Sequence, residues 1–100
     1  MLHLPLGRTV ATPSIAELAQ ANEAFQQFIQ KSMQRHQLGD WGECGPEDTI
    51  ANNEALKDGT RILSVYKLPP HLREQTEIPK IWILTEADRS ATIIMQPSEY

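Results

Sequence analysis

Two apolar runs, Ile81-Trp82-Ile83-Leu84 and Ala91-Thr92-Ile93-Ile94-Met95, flank the polar stretch Thr85-Glu86-Ala87-Asp88-Arg89-Ser90. β-branched and aromatic residues on both sides of a short charged break predict a β-hairpin. Ahead of it, Thr60–Tyr66 places Leu63 and Val65 on one face and Ile62, Ser64 and Tyr66 on the other, which predicts a third strand. The same alternation puts Trp82 on the opposite sheet face from Ile81 and Ile83. Either face could be the covered one; alternation alone does not choose.

Upstream, Ile15, Leu18, Phe25, Phe28, Ile29 and Met33 recur at helical spacing, with Gln20, Glu23, Gln26, Gln27, Gln30, Lys31 and Gln34 between them. This predicts an amphipathic helix over about 14–37, unbroken or interrupted near Ala21-Asn22, and ended by Gly39. Its start is either a capping box of Ser14 with Glu17, or Thr12 followed by Pro13. Gly39–Pro46 reads as an irregular loop. Pro46-Glu47-Asp48 opens a second helix, with its acids at the positive end of the dipole. Ile50, Leu56 and Ala55 give that helix a thin stripe, and Gly59 stops it. Residues 67–79, with three prolines, read as a long connection. Arg8–Ala11 is a further short strand. The expected fold is a single α+β domain over 1–100: two helices on one face of a small antiparallel sheet of three strands, or four if Arg8–Ala11 joins it.

The chain has 100 residues, a net charge of −4 and one cysteine, Cys44. The charge argues against a non-specific nucleic-acid binder. A lone cysteine excludes an intramolecular disulfide framework. The N-terminus lacks a signal-peptide pattern, and no apolar run approaches a membrane span, so a cytoplasmic protein without membrane contact is expected. Oligomeric state is left open.

Several blocks carry a resemblance. They are Thr9-Val10-Ala11-Thr12-Pro13, His36-Gln37-Leu38-Gly39-Asp40-Trp41-Gly42, Glu47-Asp48, Asn53-x-Ala55-Leu56 and Gly59-x-Arg61-Ile62-Leu63-Ser64-x-Tyr66. Trp82-Ile83-x-Thr85-Glu86-Ala87-Asp88-Arg89-Ser90-x-Thr92 and Pro97-x-Glu99-Tyr100 follow. In order and combination they resemble a family of small uncharacterised bacterial proteins of plasmids and integrated mobile elements. Some of that family carry the label type I restriction subunit M. A methyltransferase needs a cofactor-binding Rossmann-like domain, and the chain has neither the length nor the glycine-rich fingerprint for one. The resemblance implies a mobile-element setting and no activity.

Five groups of residues are candidates for chemistry. At the hairpin tip, Glu86, Asp88 and Arg89 could clamp a partner's charges or do acid–base work, or form a self-satisfied turn in which Asp88 caps the backbone and Arg89 pairs with an acid. His36 with Asp40 and Trp41 could be a proton shuttle, or a helix-end histidine beside a core tryptophan. His36, Arg61, Glu86 and Arg89 together could serve a ribonuclease-like sheet. Cys44, His36 and His71 match no zinc spacing, and the acids around Cys44 should raise its thiol pKa; neither metal nor cofactor is called for. Trp41, Tyr66, Trp82 and Tyr100 are either core or interface anchors. The leading reading is a non-enzymatic protein-binding accessory of a mobile element that modulates a host defence system. It would use Trp41, Arg61, Trp82, Glu86, Asp88 and Arg89. A small hydrolase using His36, Asp40 and Glu86, and a nucleic-acid-binding regulator, are the alternatives.

Overall fold

In the computed structural model, which describes residues 3–100, the long striped segment is two helices. α1 spans Pro13–Ala21 and α2 spans Glu23–Gln37, with Asn22 extended between them. Asn22 accepts the Phe25 N–H at 3.0 Å, the capping bond that starts α2. Of the two starts the sequence allows, Thr12-Pro13 is used. Ser14 forms no capping box with Glu17; its hydroxyl donates to Glu99 at 2.8 Å. The stripe packs as its spacing predicts: Ile15, Phe25 and Ile29 are buried, and Leu18, Phe28 and Met33 pack against them.

α3 spans Pro46–Asp58 and ends at Gly59, which takes the left-handed conformation. Of the expected stripe, Ala55 is buried and Leu56 packs beside it, whereas Ile50 is exposed and Asn52 is buried in addition. A polar residue holds this helix because the neighbouring strand offers it backbone partners, as described below. A further helix, α4, spans Pro70–Thr76 inside the stretch expected to be irregular. Proline is tolerated in a first helical turn, and two turns are too few to show a period. Leu68, Leu72 and Ile78 bring this segment into the main core.

The α+β layout holds, with four helices among the described residues where two were expected and a mixed sheet where an antiparallel one was. β1 (Arg8–Ala11), β2 (Ile62–Lys67), β3 (Lys80–Thr85) and β4 (Ala91–Met95) are ordered β1-β4-β3-β2. The three C-terminal strands form the expected antiparallel meander, while β1 adds to β4 in parallel. Arg8 N–H donates to the Ser90 carbonyl (2.9 Å) and Thr12 N–H to that of Ile94 (3.0 Å).

α1, α2 and α4 contribute to one core with Tyr66, Ile81, Ile83 and Ile94. Helices therefore cover the Ile81/Ile83 face. A second, smaller core gathers Leu4, Trp41, Ala55 and Ile62.

The outer edge of β2 is closed. Asn52 donates to the Leu63 carbonyl (2.8 Å) and accepts the Leu63 N–H (3.1 Å). Val65 N–H donates to Trp41, Glu43 N–H to Val65, and Lys67 N–H to the Glu43 carboxylate. The Leu63, Val65 and Lys67 N–H groups and the Leu63 and Val65 carbonyls on this side thus have partners, which opposes edge pairing through β2.

Candidate functional site

The sheet face opposite the helices carries Val10, Leu63, Val65, Trp82, Leu84, Ile93 and Met95, which the strand registers bring side by side. Leu84 and Met95 are buried; the other five are half-buried. Partial cover comes from the C-terminal 3-10 turn, Pro97–Glu99. Glu99 ties that turn down by accepting from Thr12 (2.9 Å), Ser14 (2.8 Å) and the Gln96 N–H (2.7 Å). These donors hold its carboxyl below the usual carboxylate range, the Gln96 N–H contributing most. Tyr100 then stands edge-on to Trp82, with centroids 5.5 Å apart. The Arg61 guanidinium lies 4.9 Å from the centre of the Tyr100 ring. Trp82 Nε1–H is enclosed and meets no acceptor among the described residues. Beside Arg61, between α3 and β2, a groove of about 200 Å³ is lined by Asp48, Ala51, Asn52, Arg61 and Leu63.

His36 lies in the interior, with no exposed surface. It sits in a chain of polar side chains between α2 and the covered sheet face. Thr92 Oγ1 donates to the Leu6 carbonyl at 2.7 Å. Thr85 Oγ1, 2.8 Å from Thr92 Oγ1, must then be the donor of that pair. It accepts in turn from His36 Nε2 at 2.8 Å. His36 Nδ1 is left as an acceptor for Ser64 Oγ–H at 2.5 Å. One neutral tautomer, protonated on Nε2, satisfies the whole chain. Burial, and secondarily the Arg89 charge, push the imidazole pKa down to about 4. A buried neutral ring with both nitrogens engaged has no route to a substrate proton.

Asp40 does not orient this histidine. It takes the Arg35 fork at 2.7 and 3.2 Å, which holds its carboxyl below the usual range. Trp41 is buried, packs edge-on to His36 and donates to Asn53 Oδ1 at 2.9 Å. Cys44 donates to the Trp41 and Leu63 carbonyls, and burial, more than the nearby acids, raises its pKa.

The hairpin tip is a structured turn. Asp88 accepts the Ser90 N–H at 3.0 Å, as an Asx contact would. Arg89 forms no ion pair with either acid, although its Nη1 donates to the Glu86 backbone carbonyl at 3.2 Å. It takes a positive φ of 61° and sends its guanidinium to the Thr60 carbonyl (2.6 Å) and the Ala55 carbonyl (2.9 Å), capping the C-terminal end of α3. His36 is enclosed with both nitrogens bonded, Arg89 is engaged at the end of α3 and Arg61 stacks on Tyr100, so the ribonuclease-like set shares no common exposed surface. Replacing Arg89 with alanine removes two charged hydrogen bonds that join the hairpin to α3. The expected cost is about 1–3 kcal/mol, read as a lower urea midpoint, with amide-exchange protection lost first at the end of α3.

Comparison of the chain with protein-family models, with curated proteins and with solved structures gave no match. No helix among the described residues is long and apolar enough to cross a membrane.

Proposed function

We propose that this chain is a non-enzymatic protein-binding module that docks its partner on the Trp82 face of the sheet. One observation carries the reading: the helices cover the Ile81/Ile83 face, leaving Val10, Leu63, Val65, Trp82 and Ile93 half-buried beside one another. A contiguous apolar patch of this kind, with Tyr100 half-exposed beside Trp82, suits an interface better than a free surface. The buried, fully bonded His36 and the self-satisfied hairpin tip weigh against the hydrolytic alternative. Trp82 and Arg61 keep their proposed role in partner binding. Asp88 and Arg89 pass to holding the turn, and Trp41 to the second core. An accessory role in a mobile element, modulating a host defence system, is the biological setting proposed with this reading.

The test is capture by the immobilised protein, comparing wild type with Val65→Glu and Ile93→Glu. Both positions point to the open face, so each variant should keep its fold, with a thermal midpoint within a few degrees of wild type. Each should lose a partner that wild type retains, by roughly tenfold or more in affinity. Full retention by both folded variants would place binding elsewhere.

A further inference from the structure

The charges of this chain are sorted by secondary structure. None of its 13 acidic residues lies in a strand. The strands carry Arg8, Lys67 and Lys80, and Arg61 immediately precedes β2. Register decides where these cations point. Lys67 faces Lys80 across the β2–β3 pair, in phase with Val65 and Trp82. Arg8 faces Ala91, in phase with Val10 and Ile93. Arg61 is in phase with Leu63 and stacks on Tyr100. All four cations thus belong to the open face. The one ion pair among the described residues is Arg35–Asp40, so no carboxylate of the chain pairs with any of the four.

Their placement has a length. Arg61 and Arg8 stand at one end of the face, at opposite edges of the sheet, and Lys67 and Lys80 stand at the other. Six residues of strand separate Arg61 from Lys67, roughly 20 Å. Between them lie Leu63, Val65, Trp82 and Ile93, with Tyr100 packed edge-on to Trp82. An α-helix covers that distance in about 13 residues. On the other side of the same sheet, α1 and α2 show what such a surface accepts: an apolar stripe laid across the strands.

We propose that the occupant of the Trp82 face is an amphipathic helix of a partner protein, with acidic residues near both ends of its apolar stripe. This rests on the docking reading above and adds the partner's chemistry to it. Its apolar side chains meet Leu63, Val65, Trp82 and Ile93. Its carboxylates meet Arg8 and Arg61 at one end and Lys67 and Lys80 at the other. The cations desolvate little at this rim, so they select the partner and speed its arrival more than they add affinity. A single-stranded nucleic acid fits less well. The two rings of the face, Trp82 and Tyr100, already pack edge-on to each other, with Arg61 over Tyr100, and the net charge of −4 opposes a chain with one phosphate per nucleotide.

The experiment uses the full chain and three synthetic helical peptides of about 13 residues. The first has a leucine stripe with glutamates at both ends. The second has lysines in place of those glutamates. The third has the composition of the first with its leucines scattered around the helix. Binding is followed by amide chemical shifts. The glutamate peptide should perturb Leu63, Val65, Trp82 and Ile93, bind roughly tenfold tighter than the other two, and weaken as salt rises. The double variant Lys67→Glu/Lys80→Glu should reverse the preference toward the lysine peptide.

Equal binding of the glutamate and lysine peptides overturns the proposal while leaving the docking surface intact. So does failure of every peptide, if the protein still captures a partner that Val65→Glu loses. If no partner is captured either, both readings fall. Tighter binding of oligothymidylate to the same residues would assign the face to nucleic acid. Concentration-dependent shifts without peptide would assign it to a second copy. Either result overturns the proposal.

Discussion

Gly42→Ala is expected to destabilise the protein by about 4 kcal/mol or more, and to make it associate. Gly42 has a φ of +72°, a conformation that costs an L-residue roughly 1–2 kcal/mol before any contact is considered. A Cβ there would meet the Val65 carbonyl oxygen at 2.0 Å and the Tyr66 ring at 2.7 Å. Neither can give way, since Val65 belongs to β2 and Tyr66 is wholly buried. The loop must lift instead, and the bridge between Gly42 and Val65 opens. The hydrogen bonds that Val65 makes to Trp41 and Glu43 are lost with it. Against a typical total of about 5–15 kcal/mol for a domain, this is a large fraction. The freed edge of β2 then presents unpaired backbone groups. Urea unfolding gives the stability loss, and light scattering reports the association. A variant with unchanged midpoint and monomeric scattering would contradict the account. Gly45, where a Cβ meets nothing within 4 Å, is the control: its alanine variant should cost little.

The second large effect lies at His36. His36→Ala leaves a cavity between α2 and the sheet and orphans the Ser64 and Thr85 hydroxyls, at an expected cost of about 3–5 kcal/mol. Thr85→Val keeps the volume but removes the acceptor for Nε2–H, at about 1–3 kcal/mol. The ring also sets a pH dependence. Its pKa falls from 6.5 to about 4 on folding, because burial disfavours the imidazolium. Between these values the unfolded chain binds the proton and the folded one does not. This contribution to stability is therefore fully present above pH 6.5 and is lost as pH falls toward 4. The full loss is roughly 3 kcal/mol. Stability measured by urea at several pH values should decline through this window in wild type, and the decline should be much shallower in His36→Ala. Equal slopes would mean that the histidine is charged, or accessible, in the folded state.

His36 also marks where sequence reading stops. Its position near the end of a helix, four residues before Asp40, fits a shuttle and a helix-end charge equally. Its actual partners, Ser64 and Thr85, lie 28 and 49 residues away in the chain. Arg89 is a similar case. Local chemistry pairs it with Glu86 or Asp88, whereas the fold offers it the carbonyls of Ala55 and Thr60. Asn52 was invisible to any apolar pattern, because its role is to bond the backbone of a strand that only tertiary packing places alongside it. By contrast, the glycine end of α3 and the C-terminal hairpin follow from local propensity and period and were legible, while the sequence allowed the break at Asn22 without choosing it.

The open face divides the same way. Alternation by itself determined that Leu63 and Val65 share one side of β2 and Ile62, Ser64 and Tyr66 the other, and that Trp82 lies opposite Ile81 and Ile83 in β3, since side-chain direction in a strand has a period of two. Which side of β2 falls beside Trp82 was decided by the register of the pair, Val65 opposite Trp82, and the phase of Arg61, Lys67 and Lys80 follows from it. Which side the helices cover was decided only by the tertiary structure. Both sides are apolar enough to be buried. The choice depends on long-range packing of α1, α2 and α4 against Tyr66, Ile81, Ile83 and Ile94, and on the His36 chain that accommodates Ser64, Thr85 and Thr92 on the same side. Those three hydroxyl side chains are buried without penalty only where a histidine and a carbonyl can meet them.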